Sequence, residues 1–127
     1  MKKLMKVALL GITLLTVPSV TYAATYLSAF SLSLPGANTS VSTGLGQTKA
    51  TSGANGQILV TVSKQKFDAR QTDEQGNSGA WRKQISKGDT AGLPGNSNQL
   101  KGDKMKLTIS SNWNATTDSK NGSWKSN

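Results

Sequence analysis

Hydrophobic and polar residues alternate along three segments of the chain, residues 26–34, 58–63 and 104–110. Because successive side chains of a β-strand point to opposite faces, this pattern predicts strands with one buried and one solvated face. A disordered chain has no reason to keep such a period in three places. The alternating apolar residues are Phe30, Leu32, Leu34, Ile58, Val60, Val62, Met105, Leu107 and Ile109.

Turn-forming residues separate the alternating segments. Pro35-Gly36 follows the first segment, and Pro94-Gly95 follows Leu93. Each pair suits a type II turn, which takes Pro at its second position and Gly, with positive φ, at its third. No helical period of useful length is found after the N-terminal region. We therefore predict an all-β fold, a small antiparallel β-sandwich.

The stretches between these segments give weaker patterns. A short strand is predicted over residues 81–85, where the position of Lys83 is typical of a sheet edge. Residues 38–56 fit either a weak strand pair or a loop, whereas residues 71–79 are polar and Gly-rich, which favours a mobile loop. The last polar stretch, residues 114–127, is expected to be a flexible tail.

The N-terminus has the three parts of a secretory signal peptide. Its positive residues are Lys2, Lys3 and Lys6. An apolar run over residues 7–17 follows, and Pro18 leaves this run shorter than the roughly 20 residues of a membrane-spanning helix. We expect cleavage after Ala23. Residues 1–23 are then removed, the mature chain is secreted, and residues 24–113 form the β domain.

The composition excludes several classes of chemistry. The full sequence has 15 Lys and Arg, 6 Asp and Glu, and neither His nor Cys, which gives a net charge of +9. Without His and Cys there is no Ser-His-Asp triad, no Cys-His pair, no imidazole or thiolate zinc site and no disulfide. Removal of residues 1–23 leaves 12 basic and 6 acidic residues, a net charge of +6. Large apolar residues are sparse, so the predicted core is thin.

The remaining residues offer weak candidates for catalysis. Ser63 and Lys66 have the S-x-x-K spacing, which places a serine beside its lysine base only on a helix, and here the spacing follows a strand pattern. The six carboxylates are scattered over turns, loops and the tail; Asp68 is expected to pair with Arg70. Residues 73–77 lack the spaced ligands and closing Glu of a calcium loop. We expect no catalytic residues, no metal site, no cofactor and a function that is not enzymatic.

The excess of positive charge is the main remaining indication of function. If the strands bring the basic residues together, they form a face that attracts a polyanion. Candidate residues of this anionic-ligand face are Lys64, Lys66, Arg70, Arg82, Lys83, Lys87, Lys101, Lys104 and Lys106. Candidate aromatic contacts are Trp81, Trp113 and Trp124. Two other interpretations stay open: Trp81 and Trp113 are core residues, and the lysines prevent edge strands from pairing with other copies.

The late run of residues 107–114, Leu-Thr-Ile-Ser-Ser-Asn-Trp-Asn, followed by Asp118-Ser119-Lys120, resembles the last strand of small secreted proteins of Gram-positive bacteria. The signal peptide and the Cys-free, Ser/Thr/Asn/Gly-rich sequence fit the same group. This resemblance implies a small β-sandwich and no particular activity. A more distant likeness is to the lactococcin-type bacteriocins, small secreted β-sandwich proteins whose family role is interference with cell-wall synthesis through lipid II.

The leading hypothesis is a secreted binding domain whose Lys/Arg face contacts an anionic wall polymer, an anionic membrane surface or a partner protein. Nucleic acid is not an expected partner, apart from extracellular DNA, because the signal peptide directs the chain out of the cell. The alternatives are a bacteriocin-like toxin that acts on the cell envelope and a matrix protein that self-associates through strand edges.

Overall fold

The computed structural model describes residues 27–127, which form nine β-strands and no helix. The predicted signal peptide, residues 1–23, lies outside the described residues. In chain order the strands are β1 (Ser28–Leu34), β2 (Ser40–Ser42), β3 (Gln47–Thr48), β4 (Gly56–Val62), β5 (Phe67–Asp73), β6 (Arg82–Ile85), β7 (Thr90–Leu93), β8 (Lys104–Ser111) and β9 (Asp118–Lys125).

The strands form two sheets that pack against each other. The first sheet has the order β1-β9-β4-β7, and the second has the order β2-β8-β5-β6, with β3 also paired to β8. All of these pairs are antiparallel. The prediction of an all-β fold with packed antiparallel sheets is confirmed.

The core lies between the two sheets and is built largely from the alternating residues of β1, β4 and β8. Val62 is the exception in β4: it lies beyond a register shift in the pairing with β9 and is 42% exposed. The buried cluster consists of Phe30, Leu34, Ile58, Val60, Phe67, Ala69, Ile85, Ala91, Leu93, Met105, Leu107, Ile109 and Trp124.

Two central strands, β5 and β9, are not indicated by the hydrophobic pattern. Their burial alternates along much of their length, but several inward positions carry polar residues: Gln71 and Asp73 in β5, and Asp118 and Lys120 in β9. The expectation that residues 114–127 form a flexible tail is wrong, because β9 pairs with both β1 and β4 in the middle of the first sheet.

The two segments expected to contain loops hold more strand than predicted. Within residues 38–56, β2 and β3 each pair with β8 and not with each other. β5 extends to Asp73, whose Oδ1 accepts hydrogen bonds from the amides of Gln75 and Asn77. Residues 71–73 therefore belong to β5, and the prediction of a loop over residues 71–79 is wrong for these three. A tight turn follows them.

Neither Pro-Gly turn has the predicted type II conformation. In the first turn the positive φ falls on Ala37 and Asn38, at 63° and 60°. Gly36 is required for a different reason, since a Cβ at this position would lie 1.9 Å from the carbonyl oxygen of Ala115. A Cβ at Gly95 would likewise lie 2.2 Å from a backbone oxygen of the neighbouring loop. Both glycines permit two backbones to approach closely.

The short strand predicted over residues 81–85 is β6, and it lies at the edge of the second sheet as Lys83 indicates. Its pairing with β5 shifts register once, and Gln84 has a positive φ of 59° at this irregularity. The Gln84 amide donates to Asp68 Oδ1 at 2.9 Å. Arg82 and Lys83 are exposed on this edge, an arrangement that hinders pairing with another copy.

Candidate anion-binding face

The outward face of the second sheet is set by alternation and register. On β8, Leu107 and Ile109 belong to the core, so Lys106 and Thr108 lie on the opposite, outward face. Arg70 of β5 pairs directly with Thr108 and therefore lies on the same face. The outward face thus brings together residues from strands that are distant in the sequence.

A chain of hydroxyl groups crosses this face from strand to strand. Thr108 Oγ1 lies 2.9 Å from Ser42 Oγ of β2 and 3.3 Å from Thr72 Oγ1 of β5. Thr72 Oγ1 lies 3.0 Å from Ser78 Oγ in turn. Because a hydroxyl donates one proton and can accept two, the groups at the two ends keep hydrogen-bonding capacity for a ligand.

Arg70 lies beside this chain and is held by an aromatic contact. Its guanidinium carbon is 4.2 Å from the centroid of the Trp81 ring, a cation–π distance. Its Nε is buried and has no hydrogen-bond partner within residues 27–127. The expected ion pair with Asp68 does not form in this part of the chain, since Asp68 accepts the Gln84 amide. The guanidinium is therefore not neutralised by a neighbouring carboxylate.

Two lysines add positive charge to the same face. Lys104 is exposed and Lys106 is half-buried, both on the outward side of β8. The nearby carboxylates are Asp68, which accepts a hydrogen bond from the Gln84 amide of β6, and Glu74 in the turn after β5. We call this surface the cationic face and define it by Arg70, Trp81, Lys104 and Lys106.

The other predicted basic residues lie elsewhere, so the nine do not share one face. Lys64 and Lys66 are in the turn between β4 and β5, and Lys87 is in the turn between β6 and β7, at one end of the sheets. Lys101 precedes β8 at the opposite end. Because a strand as long as β8 spans about 25 Å, the two ends are separate surfaces. Arg82 and Lys83 lie on the edge strand β6.

The three tryptophans have three different environments. Trp81 is half-buried against Arg70, Trp124 is 2% exposed in the core, and Trp113 is 79% exposed in the turn between β8 and β9. Trp124 belongs to the core cluster and also lines the pocket described below, so its contact with a ligand stays a prediction. The alternative interpretation of Trp113 as a core residue is wrong.

A buried polar cluster near the start of β4 is not indicated by the sequence. Lys49 is 1% exposed, and its Nζ donates to the carbonyl oxygens of Ala54 and Ser126 at 2.5 and 2.7 Å and to Gln71 Oε1 at 3.1 Å. Burial among these neutral acceptors lowers the pKa of Lys49 to about 8. Gln99, also fully buried, donates to the Gln71 carbonyl at 3.1 Å. A lysine in a Ser/Thr/Gly-rich segment carries no sequence signal of such burial.

A buried ion pair lies under the turn between β4 and β5. Lys120 Nζ pairs with Asp118 and donates to Ser63 Oγ at 2.9 Å, while Asp118 Oδ2 accepts the amides of Lys64 and Gln65. Burial alone would raise the pKa of Asp118, but the Lys120 hydrogen bond, the two amides and the charge on Lys120 together lower it. Ser63 Oγ donates to the Gln65 carbonyl at 2.6 Å and accepts from Lys120, so the lysine beside Ser63 is Lys120 and not Lys66.

A pocket of about 350 Å³ opens between the start of β1 and the loop before β3. Its lining residues are Ser28, Ala29, Thr43, Gly44, Leu45, Gly46, Gln47 and Trp124. None of these side chains is an acid, a base or an activated nucleophile. Within residues 27–127, no group of three or more acidic side chains is placed to hold a metal ion.

Comparisons with known proteins identify no family. No family model matches the chain, and no curated protein gives a significant match. In the part of the chain that the structure describes, no helix is long and apolar enough to cross a membrane. The function must therefore be inferred from the surfaces of the molecule.

Proposed function

We propose that the chain is a secreted, non-enzymatic binding domain whose cationic face binds an anionic polymer of the cell envelope. The observation that carries this proposal is Arg70, whose guanidinium stacks on Trp81 and has no carboxylate partner among the described residues. A guanidinium held in this way is already oriented, so less side-chain entropy is lost when it binds a phosphate or carboxylate.

The surroundings of Arg70 suit a polymer that carries both acid and hydroxyl groups. The planar guanidinium can donate two parallel hydrogen bonds to a phosphate or carboxylate. Ser42 and Ser78, at the ends of the hydroxyl chain, can bond to polyol groups of the same polymer. Lys104 and Lys106 add attraction that decreases as the salt concentration rises. The proposal therefore requires binding that depends on both charge and geometry.

The test is titration calorimetry of the purified protein with polygalacturonate, with polyphosphate and with neutral dextran. We expect salt-dependent binding to one or both polyanions and none to dextran. Arg70→Gln should weaken binding by about tenfold, because it removes a charged hydrogen-bond donor. Arg70→Lys should weaken it less than Arg70→Gln, because it keeps the charge but loses the planar pair of donors.

The matched control is Lys125→Gln, which removes a half-buried lysine from β9 in the opposite sheet. This variant should change the affinity by less than about twofold, because the removed charge is remote from the cationic face. Equal loss of binding in Arg70→Gln and Lys125→Gln would mean that only net charge matters, and the proposal would be wrong. Failure of every polyanion to bind would also overturn it.

A further inference from the structure

The turns at one end of the sheets are connected by side-chain hydrogen bonds. Gln65 Nε2 donates to Thr116 Oγ1 at 2.7 Å, and the Thr116 amide donates back to Gln65 Oε1 at 3.1 Å. Asn112 Nδ2 reaches the Lys66 carbonyl at 3.5 Å. The turn between β4 and β5 is therefore fixed against the turn between β8 and β9.

A third turn joins them through the backbone. The amides of Ala37 and Asn38 donate to the carbonyls of Ala115 and Asn112, both at 3.1 Å. We call these three turns, residues 35–39, 63–66 and 112–117, the tip. Their hydrogen bonds use backbone groups and the polar side chains of Gln65, Asn112 and Thr116. The long side chains of Trp113, Lys64 and Lys66 take no part in these hydrogen bonds.

Those long side chains are exposed and have a consistent chemistry. Trp113 is the most exposed large hydrophobic residue in residues 27–127, at 79%, and Val62 nearby at the end of β4 is 42% exposed. Lys64 and Lys66 are exposed on the adjacent turn, which is fixed to the Trp113 turn by the contacts above. The chain has few large apolar residues, so exposing a tryptophan on a fixed turn forgoes core stabilisation.

The negative charge near the tip is largely engaged. Asp118 is buried against Lys120 and accepts two amides of the turn between β4 and β5. Asp89 accepts the Ser86 amide in the next turn, where Lys87 is also exposed. Among the exposed charged residues of the turns at this end, Lys64, Lys66 and Lys87 outnumber Asp89, so the excess charge near Trp113 is positive.

We propose that the tip docks on an anionic lipid bilayer, with Trp113 at the interface and Lys64 and Lys66 against the headgroups. Tryptophan favours the membrane–water interface because its ring is apolar and its N–H is polar. Lysines near an anionic surface each strengthen binding about fivefold. Because the tip is fixed by its internal hydrogen bonds, little ordering is needed on contact. This inference does not depend on the polymer-binding function, since the tip and the cationic face share no residue.

The test uses vesicles of phosphatidylcholine with and without phosphatidylglycerol, with protein binding measured by cosedimentation and by tryptophan emission. We expect binding and a blue shift only with the phosphatidylglycerol vesicles. Trp113→Ala should reduce partitioning by about tenfold and abolish the shift. The double variant Lys64→Gln/Lys66→Gln should reduce partitioning by about 20-fold.

Matched controls lie at the opposite end of the molecule. Leu100→Ala removes another large exposed apolar side chain, 55% exposed, and Lys101→Gln removes an exposed lysine beside it. Neither should change vesicle binding. The inference fails if these controls lose as much binding as the tip variants, or if Trp113 emission does not shift on the vesicles.

A second comparison distinguishes lipid from polymer. Arg70→Gln should bind phosphatidylglycerol vesicles as the unmodified protein does, and Trp113→Ala should bind polyanions as the unmodified protein does. Free glycerol phosphate should not displace the protein from vesicles, because it offers charge without an interface. If glycerol phosphate displaces the protein from vesicles at an equal phosphate concentration, the tip binds a soluble anion. The proposal that its target is the bilayer would then be wrong.

Discussion

Lys49 and Lys120 are each 1% exposed, and their charges are accommodated in different ways. Lys120 pairs with the carboxylate of Asp118, whereas Lys49 is surrounded by carbonyl and amide oxygens only. Desolvation opposes the charged form in both places, but only Asp118 supplies an opposite charge. Lys120 is therefore held in a buried ion pair, whereas the pKa of Lys49 is lowered.

Replacement of Lys49 should change how stability varies at alkaline pH. The pKa of Lys49 is about 8 in the folded protein and 10.5 where the side chain is not buried. Between pH 8 and pH 10.5 the unfolded chain therefore binds more protons than the folded protein. The free energy of unfolding should therefore rise with pH across this range, by roughly 3 kcal/mol. Urea unfolding of the Lys49→Met variant at pH 8 and above should lack this rise. Lys101→Met should retain it, and an unchanged rise in Lys49→Met would contradict the assignment.

Replacement of Asp118 should change stability at neutral and acidic pH. Because the pKa of Asp118 is lowered on folding, its stabilisation is complete above the unfolded value near 4 and is lost as pH falls through the folded pKa. Asp118→Asn leaves Lys120 buried without a carboxylate and should cost about 3 kcal/mol at neutral pH. Its stability should also fall less in acid than that of the unmodified protein. Denaturant titrations check both effects, with the exposed Glu74→Gln as the control that should show neither.

At the scale of strands, the sequence predicts those elements whose inward residues are apolar. β1, β4 and β8 follow the rule, and the alternation also places Lys104 and Lys106 together on one face. β5 and β9 are not predicted, because inward residues such as Gln71 and Lys120 are polar and satisfy their burial with hydrogen bonds. Arg70 and Thr108 lie side by side because of the register between β5 and β8. The alternation of apolar and polar residues does not determine this register.

The first Pro-Gly turn gives a prediction at the same scale. Gly36→Ala should destabilise the protein by about 2 kcal/mol, because its Cβ would overlap the Ala115 carbonyl. Gly44→Ala is the matched control, since nothing lies within 4 Å of a Cβ there. It should change stability by less than about 0.5 kcal/mol. Thermal unfolding of the two variants tests the close approach directly; equal stability would show that the backbones can separate at no cost.

At the scale of the whole molecule, the thin apolar core is continued by two clusters of buried, hydrogen-bonded polar groups. The Lys49 cluster contacts the core near the start of β4, and the Asp118–Lys120 pair contacts it under the tip. Part of the positive charge lies on the lateral cationic face and part lies at the tip. Under the two proposals above, one small domain contacts two anionic surfaces at once, because the two regions lie on different parts of the molecule. The net charge can be counted from the sequence, but it does not show how the charge is distributed over the surface.

The position of β9 between β1 and β4 determines when the first sheet can exist. Ser28 pairs with Trp124, so the earliest described strand obtains its neighbour only when the latest one has been synthesised. Pairings between such distant segments form slowly, because a long loop must close before any contact is gained. The first sheet is therefore completed only after residues 118–125 have been synthesised, whereas all strands of the second sheet precede them. If the chain is secreted as proposed, this order delays completion of the sandwich until β9 has been made.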